Sequence, residues 1–301
     1  MKDYIVFTIN SNKQTAKDFA KFWNCQLGKT VIKKFADGET LVKVSTDVKD
    51  KDVIVIESIA KKPNDKIIEI LMLLDSINRC SPRSVTLIIP YLGYSRQERV
   101  NEEFEPISSQ IVAKALETGS YNKLIVLDLH HPDVCKFFTR GIKNVQTTKI
   151  FYNYFNNYLK EHNYNTSNLV VVSPDHGANS RSDSLIFHFR GAKKVTCEKI
   201  RSEPDRIKTV KLNGDVKDKV CIVIDDIIST GNTIVNVVKL LKKGGAKAIL
   251  VGATHGLFSA DSVANIKKAG ADKIVVTNSI EQKLDGIDVI DIVQLLIENV
   301  E

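Results

Sequence analysis

The 301-residue sequence has no apolar run that approaches the roughly 18 residues of a membrane-spanning helix, so we expect no transmembrane helix. Its N-terminus, MKDYIVFTIN, carries an acidic residue at position 3 and lacks the apolar region of a secretory signal peptide. The 5 cysteines lie far apart and include no CxxC pair, which argues against a disulfide framework or a structural zinc site. These absences predict a protein of a reducing compartment, with a cytoplasmic location and no membrane contact.

The common glycine-rich nucleotide-binding patterns are also missing, because neither GxxxxGK[ST] nor GxGxxG occurs. The formal net charge of +7 is compatible with nucleic-acid binding, but the lysines are spread along the chain and aromatic residues do not alternate with them. A basic balance suits phosphate-rich small substrates equally well. We therefore expect no nucleic-acid partner.

The sequence does contain a repeated pattern, in which a short apolar run ends in a polar cluster and an amphipathic segment follows. Such runs occur at 53–58, 85–91, 124–130, 169–175, 220–226 and 248–255. Runs that are apolar at every position indicate parallel strands covered on both faces, and their alternation with helices predicts an α/β fold. The pattern occurs about twice. We predict two similar domains, 1–145 and 146–301, each a mainly parallel sheet flanked by helices.

The stretch VCIVIDDIISTGNTI (220–234) places two carboxylates, Asp225 and Asp226, at the end of an apolar run. Ligands of parallel sheets bind beyond the carboxyl ends of the strands, so these side chains are predicted to face a ligand. The residues from Asp225 to Thr233 are predicted to form a turn before a helix, whose N-terminus favours a phosphate. Carboxylates accept hydrogen bonds from vicinal hydroxyls or hold hydrated Mg²⁺. A sugar phosphate presents both kinds of group, although a lone Asp near a helix start more often caps the helix.

This segment resembles the phosphoribosyl-binding loop shared by type I phosphoribosyltransferases and ribose-phosphate pyrophosphokinases, the enzymes that make phosphoribosyl pyrophosphate (PRPP). The resemblance implies that Asp225 and Asp226 orient the ribose hydroxyls. It also implies that the 5-phosphate is held by the residues that follow, Ser229, Thr230, Gly231, Asn232 and Thr233. Ser229 stands where the family usually has a third Asp.

Three segments resemble parts of the pyrophosphokinases that the transferases lack: KKFADGETLVKV (33–44), IIPYLGYSRQERV (88–100) and LDLHHPDVCKFF (127–138). The resemblance implies that ATP is bound by residues of the first two, namely Phe35, Asp37, Glu39, Arg96, Gln97, Glu98 and Arg99. In that family the first three reach into the ATP site of a neighbouring subunit. Without the resemblance, Asp37-Gly38 is a common turn and 88–100 contains an exposed basic loop.

Three further segments extend the resemblance over nearly the whole chain: VVVSPDHGANSRS (170–182), CEKIRSEPDRIKTVKLNGDV (197–216) and GATHGLFS (252–259). The resemblance implies that His130 and Asp175 contact Mg²⁺. It also implies that Lys199 and Arg201 act together with His130 in catalysis, in a loop that closes over the site. Ile200 stands between these two basic residues, where the family usually has a third.

The implied reaction is transfer of pyrophosphate from Mg-ATP to the 1-hydroxyl of ribose 5-phosphate, which gives PRPP and AMP for nucleotide biosynthesis. The implied assembly is a homo-oligomer of at least two chains. Departures at Glu98, His131, Ile200 and Ser229 leave open a non-catalytic relative that regulates a true synthase. A phosphoribosyltransferase or a PRPP-sensing regulator is the remaining alternative.

Overall fold

The computed structural model of the chain describes residues 3–175, 177–200, 209–259 and 261–300. In chain order its first elements are β1 (Tyr4–Phe7), α1 (Lys13–Phe22), β2 (Gln26–Leu27), β3 (Thr30–Lys34), β4 (Thr40–Val44), β5 (Asp52–Ile56), α2 (Pro63–Asn78), β6 (Ser84–Ile89), α3 (Ser108–Glu117), β7 (Lys123–Leu127) and β8 (Lys143–Val145). The later elements are α4 (Thr148–Glu161), β9 (Leu169–Ser173), α5 (Asn179–His188), β10 (Lys193–Ile200), β11 (Thr209–Asn213), β12 (Val220–Ile228), α6 (Asn232–Lys243), β13 (Ala248–Gly256), α7 (Ser262–Ala269), β14 (Lys273–Thr277), β15 (Asp288–Ile290) and α8 (Val293–Val300). Short 3-10 helices span Pro132–Phe137 and Thr166–Asn168. Within the described ranges, no helix is both long and apolar enough to cross a membrane.

The chain divides into two compact units. The first comprises Met1–Val145, Asn278–Glu281 and Asp291–Glu301, and the second comprises Gln146–Thr277 and Gln282–Ile290. The domain boundary that we predicted between residues 145 and 146 assigns every residue after Val145 to the second domain. The two C-terminal segments group with the first unit because α8 packs against α1 and the side chain of Asn12 donates to the carbonyl oxygen of Ser279.

Each unit contains one mainly parallel sheet, which confirms the predicted fold class. The first sheet has the strand order β2-β1-β5-β6-β7-β8 and is parallel throughout. The second has the order β11-β10-β9-β12-β13-β14-β15, in which only the β10–β11 pairing is antiparallel. Strands β3 and β4 form a separate antiparallel hairpin.

Both faces of the second sheet are covered, as the apolar runs predicted. Alternate residues of β9 and β12 enter different cores: Val170 and Val223 pack on the side of α6, whereas Val171 and Ile222 pack on the side of α4 and α5. Side chains of a strand point alternately to opposite faces, so burial of both sets requires helices on both sides. This arrangement leaves the strand ends as the positions where polar side chains collect.

The two sheets repeat one another in register. Val55 of β5 pairs with Phe7 and Leu87, and Val223 of β12 pairs with Val172 and Val251. Strands β1, β5 and β6 therefore correspond to β9, β12 and β13. Counting two residues onward from the paired valines, Glu57 of the first unit corresponds to Asp225 of the second.

Candidate functional site

The paired carboxylates lie at the topological switch point of the second sheet. From β9 the chain continues to β10 on one side of it, whereas β12 pairs with its other side. Crevices outside the carboxyl ends of strands at such a switch point bind ligands in open α/β sheets. Asp225 and Asp226 follow the last residue of β12 that pairs with β9, Val223, by two and three positions. The strand thus places both residues at the edge of the sheet where a ligand is expected.

The strand that carries these carboxylates is longer than the sequence pattern indicated. Asp225 and Asp226 were predicted to begin the turn, but β12 continues to Ile228. Its pairing with β13 continues to Gly256, and the N–H of Leu257 then donates to the carbonyl of Ile228 at 2.9 Å. The turn is therefore confined to residues 229–231. The backbone of the two acids is held by a sheet rather than by a loop.

The electrostatics of the pair are unfavourable without a ligand. Asp226 is buried and Asp225 is half-buried, and the N–H of Asp226 donates to Oδ1 of Asp225 at 2.9 Å. Burial raises the pKa of Asp225 well above its usual range, and the charges of Asp226 and Asp175 raise this pKa further. An Nη1 atom of Arg181 lies 3.7 Å from Oδ1 of Asp226. Bound hydroxyl donors or a hydrated cation would stabilise the ionised form of Asp225.

Asp175 follows β9 on the other side of the switch point. One oxygen of its carboxylate accepts a hydrogen bond from the N–H of Ala178 at 3.1 Å, just before α5 begins at Asn179. This contact is local to the turn before α5, whose N-cap residue is Ala178. The metal contact that the resemblance implies for Asp175 stays a prediction.

Residues 229–231 connect β12 to α6, which begins at Asn232. Gly231 has φ 75°, a left-handed conformation that suits glycine. The first N–H groups of a helix have no partner within the helix, so the start of α6 offers donors to an anion. Ser229 is half-buried, and Thr230, Asn232 and Thr233 are exposed. This geometry suits the binding of a phosphate, which stays a prediction for this turn.

The segment that follows β13, residues 257–259, forms backbone hydrogen bonds with the start of this turn. The N–H of Phe258 donates to the carbonyl of Ile228 at 3.1 Å, and the N–H of Ser259 donates to the carbonyl of Ser229 at 3.1 Å. In the sequence, the segment GATHGLFS (252–259) was identified only by its resemblance to the family. These backbone bonds give the segment a physical function, and no local pattern in the sequence could have indicated it.

In the first unit, the segment with Arg96 follows β6 and reaches α3. Arg96, Gln97 and Arg99 are exposed. The side-chain oxygen of Gln97 accepts from the hydroxyl of Ser108 at 2.6 Å, and Arg99 lies 3.9 Å from the carboxylate of Glu98. Two exposed guanidinium groups on one short segment suit a polyphosphate.

His130 is half-buried and follows β7, the neighbour of β6 in the first sheet. The carboxyl ends of parallel neighbours meet at one edge, which places His130 and the Arg96 segment on the same edge of that sheet. The remaining residues that the resemblance assigns to ATP binding lie in the hairpin formed by β3 and β4 and not at this edge of the sheet. Phe35, Asp37 and Glu39 occupy the exposed tip of the β3–β4 hairpin, where Asp37 accepts from the N–H of Glu39 at 3.1 Å.

Two predicted catalytic residues are described only in part or not at all. Lys199 lies in β10, where its backbone pairs with Val210 of β11. Arg201 lies outside the residues that the structure describes. Their function in catalysis therefore stays a prediction.

The donor set at the switch point suits Mg²⁺ in a particular form. Within the described ranges, no group of three or more His, Cys, Asp and Glu side chains is arranged to hold a metal by itself. Mg²⁺ commonly keeps several waters and binds through one or two carboxylates together with substrate phosphates. Asp175, Asp225 and Asp226 offer carboxylate oxygens of the kind that this mode uses. One or two of them, together with substrate phosphates, would fit a magnesium ion that arrives with its substrate.

Replacing Asp225 with Asn is expected to stabilise the unliganded protein at pH 7 by about 1–3 kcal/mol, the cost of a poorly satisfied buried polar group. The physical reason is the raised pKa of Asp225 in the folded state. Between the unfolded value of 3.8 and the folded pKa, the unfolded state releases the proton first, so stability falls as pH rises. The advantage of Asp225→Asn should therefore grow above pH 4 and vanish below it. Urea unfolding from pH 3 to 8, without Mg²⁺, measures this.

The matched control is Asp285→Asn, which changes an exposed carboxylate of the same unit. Its stability difference from the wild type should stay within about 0.5 kcal/mol. An Asp225→Asn variant that is less stable than the wild type at pH 7 would contradict the described burial.

Comparisons with known proteins agree over the whole chain. Residues 4–119 match the family model described as the N-terminal domain of ribose phosphate pyrophosphokinase, and residues 188–301 match the phosphoribosyl synthetase-associated domain. The ribose-phosphate pyrophosphokinase of Fusobacterium nucleatum is 33% identical over 296 residues, which cover 95% of this chain and 90% of that protein. The ribose-phosphate pyrophosphokinase of Bacillus caldolyticus is 33% identical and covers 97% of this chain, with 92% of its own length aligned.

One solved structure is similar over its full length. The crystal structure of phosphoribosylpyrophosphate synthetase from Mycobacterium smegmatis has a TM-score of 0.90 and 28% identity, and the match covers 99% of this chain and 98% of that one. The two family models, the curated relatives and this structure point to one family. The chain belongs to the ribose-phosphate pyrophosphokinase family.

Proposed function

We propose that this chain is a ribose-phosphate diphosphokinase that converts ATP and ribose 5-phosphate into PRPP and AMP. Membership of the family supports the reaction class. The observation that carries the proposal for this chain is the pair Asp225 and Asp226 at the switch point, followed directly by a turn at the N-terminus of α6. A pentose phosphate presents vicinal hydroxyls and a phosphate dianion in the same order.

The pentose phosphate is bound by the second unit. Asp225 and Asp226 accept hydrogen bonds from the ring hydroxyls, and the phosphate receives N–H groups from the turn and the start of α6. Thr230 and Thr233, both exposed, add hydroxyl donors. Because β12 and β13 hold the carboxylates rigidly, the anomeric hydroxyl is positioned for attack without a large loss of entropy at the reaction step.

The chemical step forms a bond between the 1-oxygen of ribose 5-phosphate and the β-phosphorus of ATP. The bond from that phosphorus to the oxygen shared with the α-phosphorus breaks, AMP leaves, and the hydroxyl proton is released. Arg96 binds the polyphosphate, and Lys199 and Arg201 stabilise charge that develops on its oxygens. Mg²⁺, when bound, neutralises phosphate charge, and His130 and Asp175 are its proposed contacts.

The nucleotide site is shared between two copies of the chain. Phe35, Asp37 and Glu39 lie at an exposed hairpin tip, where Nζ of Lys33 already stands 5.0 Å from the centre of the Phe35 ring. An exposed aromatic ring can stack on a purine, and the carboxylates beside it can accept hydrogen bonds from the amino group of that purine.

We also propose a cytoplasmic location, because all 5 cysteines are unpaired.

The test is detection of PRPP and AMP by mass spectrometry after incubation of the purified chain alone with ATP, Mg²⁺ and ribose 5-phosphate. We expect both products in equal amounts. The Asp226→Asn variant should form them at least 100-fold more slowly, because a buried carboxylate that orients the substrate is lost. A folded wild-type chain that makes neither product would overturn the proposal and favour a regulatory relative.

A further inference from the structure

The phosphate-binding turn rests on the first turn of α7. A Cβ atom added to Gly231 would lie 3.2 Å from Cβ of Ser262 and 3.1 Å from Cδ1 of Ile266. These distances are tighter than ordinary van der Waals contact, so the turn lies directly on these two side chains. We call Ser262 and Ile266 the floor of the turn.

The floor contains a hydroxyl group that has no hydrogen-bond partner among the described residues. Ser262 is 1% exposed, and its Oγ forms no hydrogen bond within the part of the chain that the structure describes. Native proteins leave few buried polar atoms unsatisfied, because each one loses its hydration and gains nothing in exchange. The hydroxyl of Ser262 can therefore donate to an acceptor of the turn if the turn changes its conformation.

One peptide group of the turn can supply that partner. The carbonyl of Ser229 accepts from Ser259, and the carbonyl of Gly231 accepts from Val235 at 2.8 Å. The carbonyl of Thr230 accepts no hydrogen bond from any described residue. The N–H of Gly231 forms no backbone hydrogen bond among the described residues either, so the peptide between Thr230 and Gly231 can rotate without breaking one.

Phosphate binding fixes the direction of this rotation. The N–H and C=O of a planar trans peptide point in opposite directions. A rotation that turns the N–H of Gly231 towards a phosphate oxygen would turn the carbonyl of Thr230 in the opposite direction, which we take to be towards the floor. The carbonyl oxygen of Thr230 could then accept a hydrogen bond from the hydroxyl of Ser262.

We propose that Ser262 is a positioning residue for the pentose phosphate: its hydroxyl donates to the carbonyl of Thr230 when the ligand is bound, and stabilises the anion-binding form of the turn. The inference rests on the proposed function, because the phosphate of ribose 5-phosphate supplies the anion. Ser262 itself does not touch the substrate.

The experiment measures ribose 5-phosphate affinity and unliganded stability in the same full-length variants. For Ser262→Ala, isothermal titration should show a Kd about fivefold higher than the wild type, the value of one net hydrogen bond. The unliganded Tm should be unchanged or about 2 °C higher, because the variant loses a buried unsatisfied hydroxyl. Ser262→Thr, which keeps the hydroxyl, should retain a Kd closer to that of the wild type.

The matched control is Thr15→Val, which removes a buried hydroxyl of α1 that also lacks a partner among the described residues. Its unliganded Tm should rise and its Kd should not change. An Ser262→Ala variant that binds like the wild type would overturn the inference, as would one whose lower affinity accompanies a lower unliganded Tm. A folded wild type that does not bind ribose 5-phosphate would instead overturn the proposed function.

Discussion

Replacing Lys66 with Met is expected to lower the free energy of unfolding by about 3–5 kcal/mol, the cost of breaking a buried ion pair from one side. Nζ of Lys66 lies 2.7 Å from Oε2 of Glu69 and 3.3 Å from Oε1 of Glu57, and it also donates to Oδ1 of Asn10. Glu57 is 0% exposed. Without the ammonium group, Glu57 and Glu69 remain buried and have no ion-pair partner among the residues that the structure describes.

The backbone cannot compensate for this loss. Glu57 already accepts from the N–H groups of Ile9 at 2.9 Å and Ser11 at 2.9 Å, so its oxygens are largely engaged. The second variant Glu57→Gln/Lys66→Met removes one charge of each sign. It should recover part of the lost stability, because only Glu69 keeps a charge. The recovery is incomplete, because the one oxygen of Gln can accept from Ile9 or from Ser11 while its NH2 group, a donor, faces the other N–H.

Urea unfolding of the single and double variants measures the coupling between the two positions. Lys114→Met is the control, since Lys114 is exposed on α3, and its effect should stay within about 0.5 kcal/mol. A loss below about 1 kcal/mol for Lys66→Met, or strict additivity with Glu57→Gln, would contradict the described network.

Replacing Lys199 with Ala is expected to lower kcat by about 100–1,000-fold and to leave the Kd for ribose 5-phosphate nearly unchanged. The reason is that the ammonium group is proposed to stabilise charge that develops during transfer. An interaction made only in the transition state affects kcat rather than substrate affinity. Steady-state kinetics with saturating ATP and Mg²⁺, together with titration of ribose 5-phosphate, separate the two effects.

The control for this variant is Lys193→Ala, which removes an exposed lysine from the same strand, β10. Its kcat should remain within about twofold of the wild type, as for a surface change away from the reaction. A Lys199→Ala variant with an unchanged kcat would refute the proposed function of this residue.

Much of the fold follows from the sequence because strands that are covered on both faces leave a distinct pattern. The run 220–226 is apolar up to Ile224, and the structure buries β12 among helices on both sides. The end of the strand could not be predicted in this way. Its extension to Ile228 depends on pairing with β13, which lies more than twenty residues later in the chain.

The buried ion pairs of the first unit were not predicted, and the reason is physical. Lys66 and Glu69 occur in a helix pattern where charged residues normally face solvent, and their partner Glu57 belongs to another element. A comparison of corresponding positions in the two units indicates that Lys66 and Glu69 are buried. The same spacing in the second unit places Ile234 and Val237, both on the buried face of α6, where the first unit has Lys66 and Glu69.

The residues of the candidate site could be predicted from the sequence, but the residues that pack against the turn could not. Asp225, Asp226 and the turn carry a local pattern of charge, hydroxyls and glycine that has chemical meaning by itself. Ser259 and Ser262 carry none, because one acts through its backbone N–H and the other through burial beneath Gly231. Such contacts between segments distant in the chain appear only in three dimensions.

A crystal structure of the chain with ribose 5-phosphate would show where the pentose phosphate binds. We expect its phosphate against the N–H groups of residues 229–233 and its ring hydroxyls within hydrogen-bond distance of the carboxylates of Asp225 and Asp226. Density for the ligand elsewhere, or a turn closed by its own side chains at saturating ligand, would contradict this expectation.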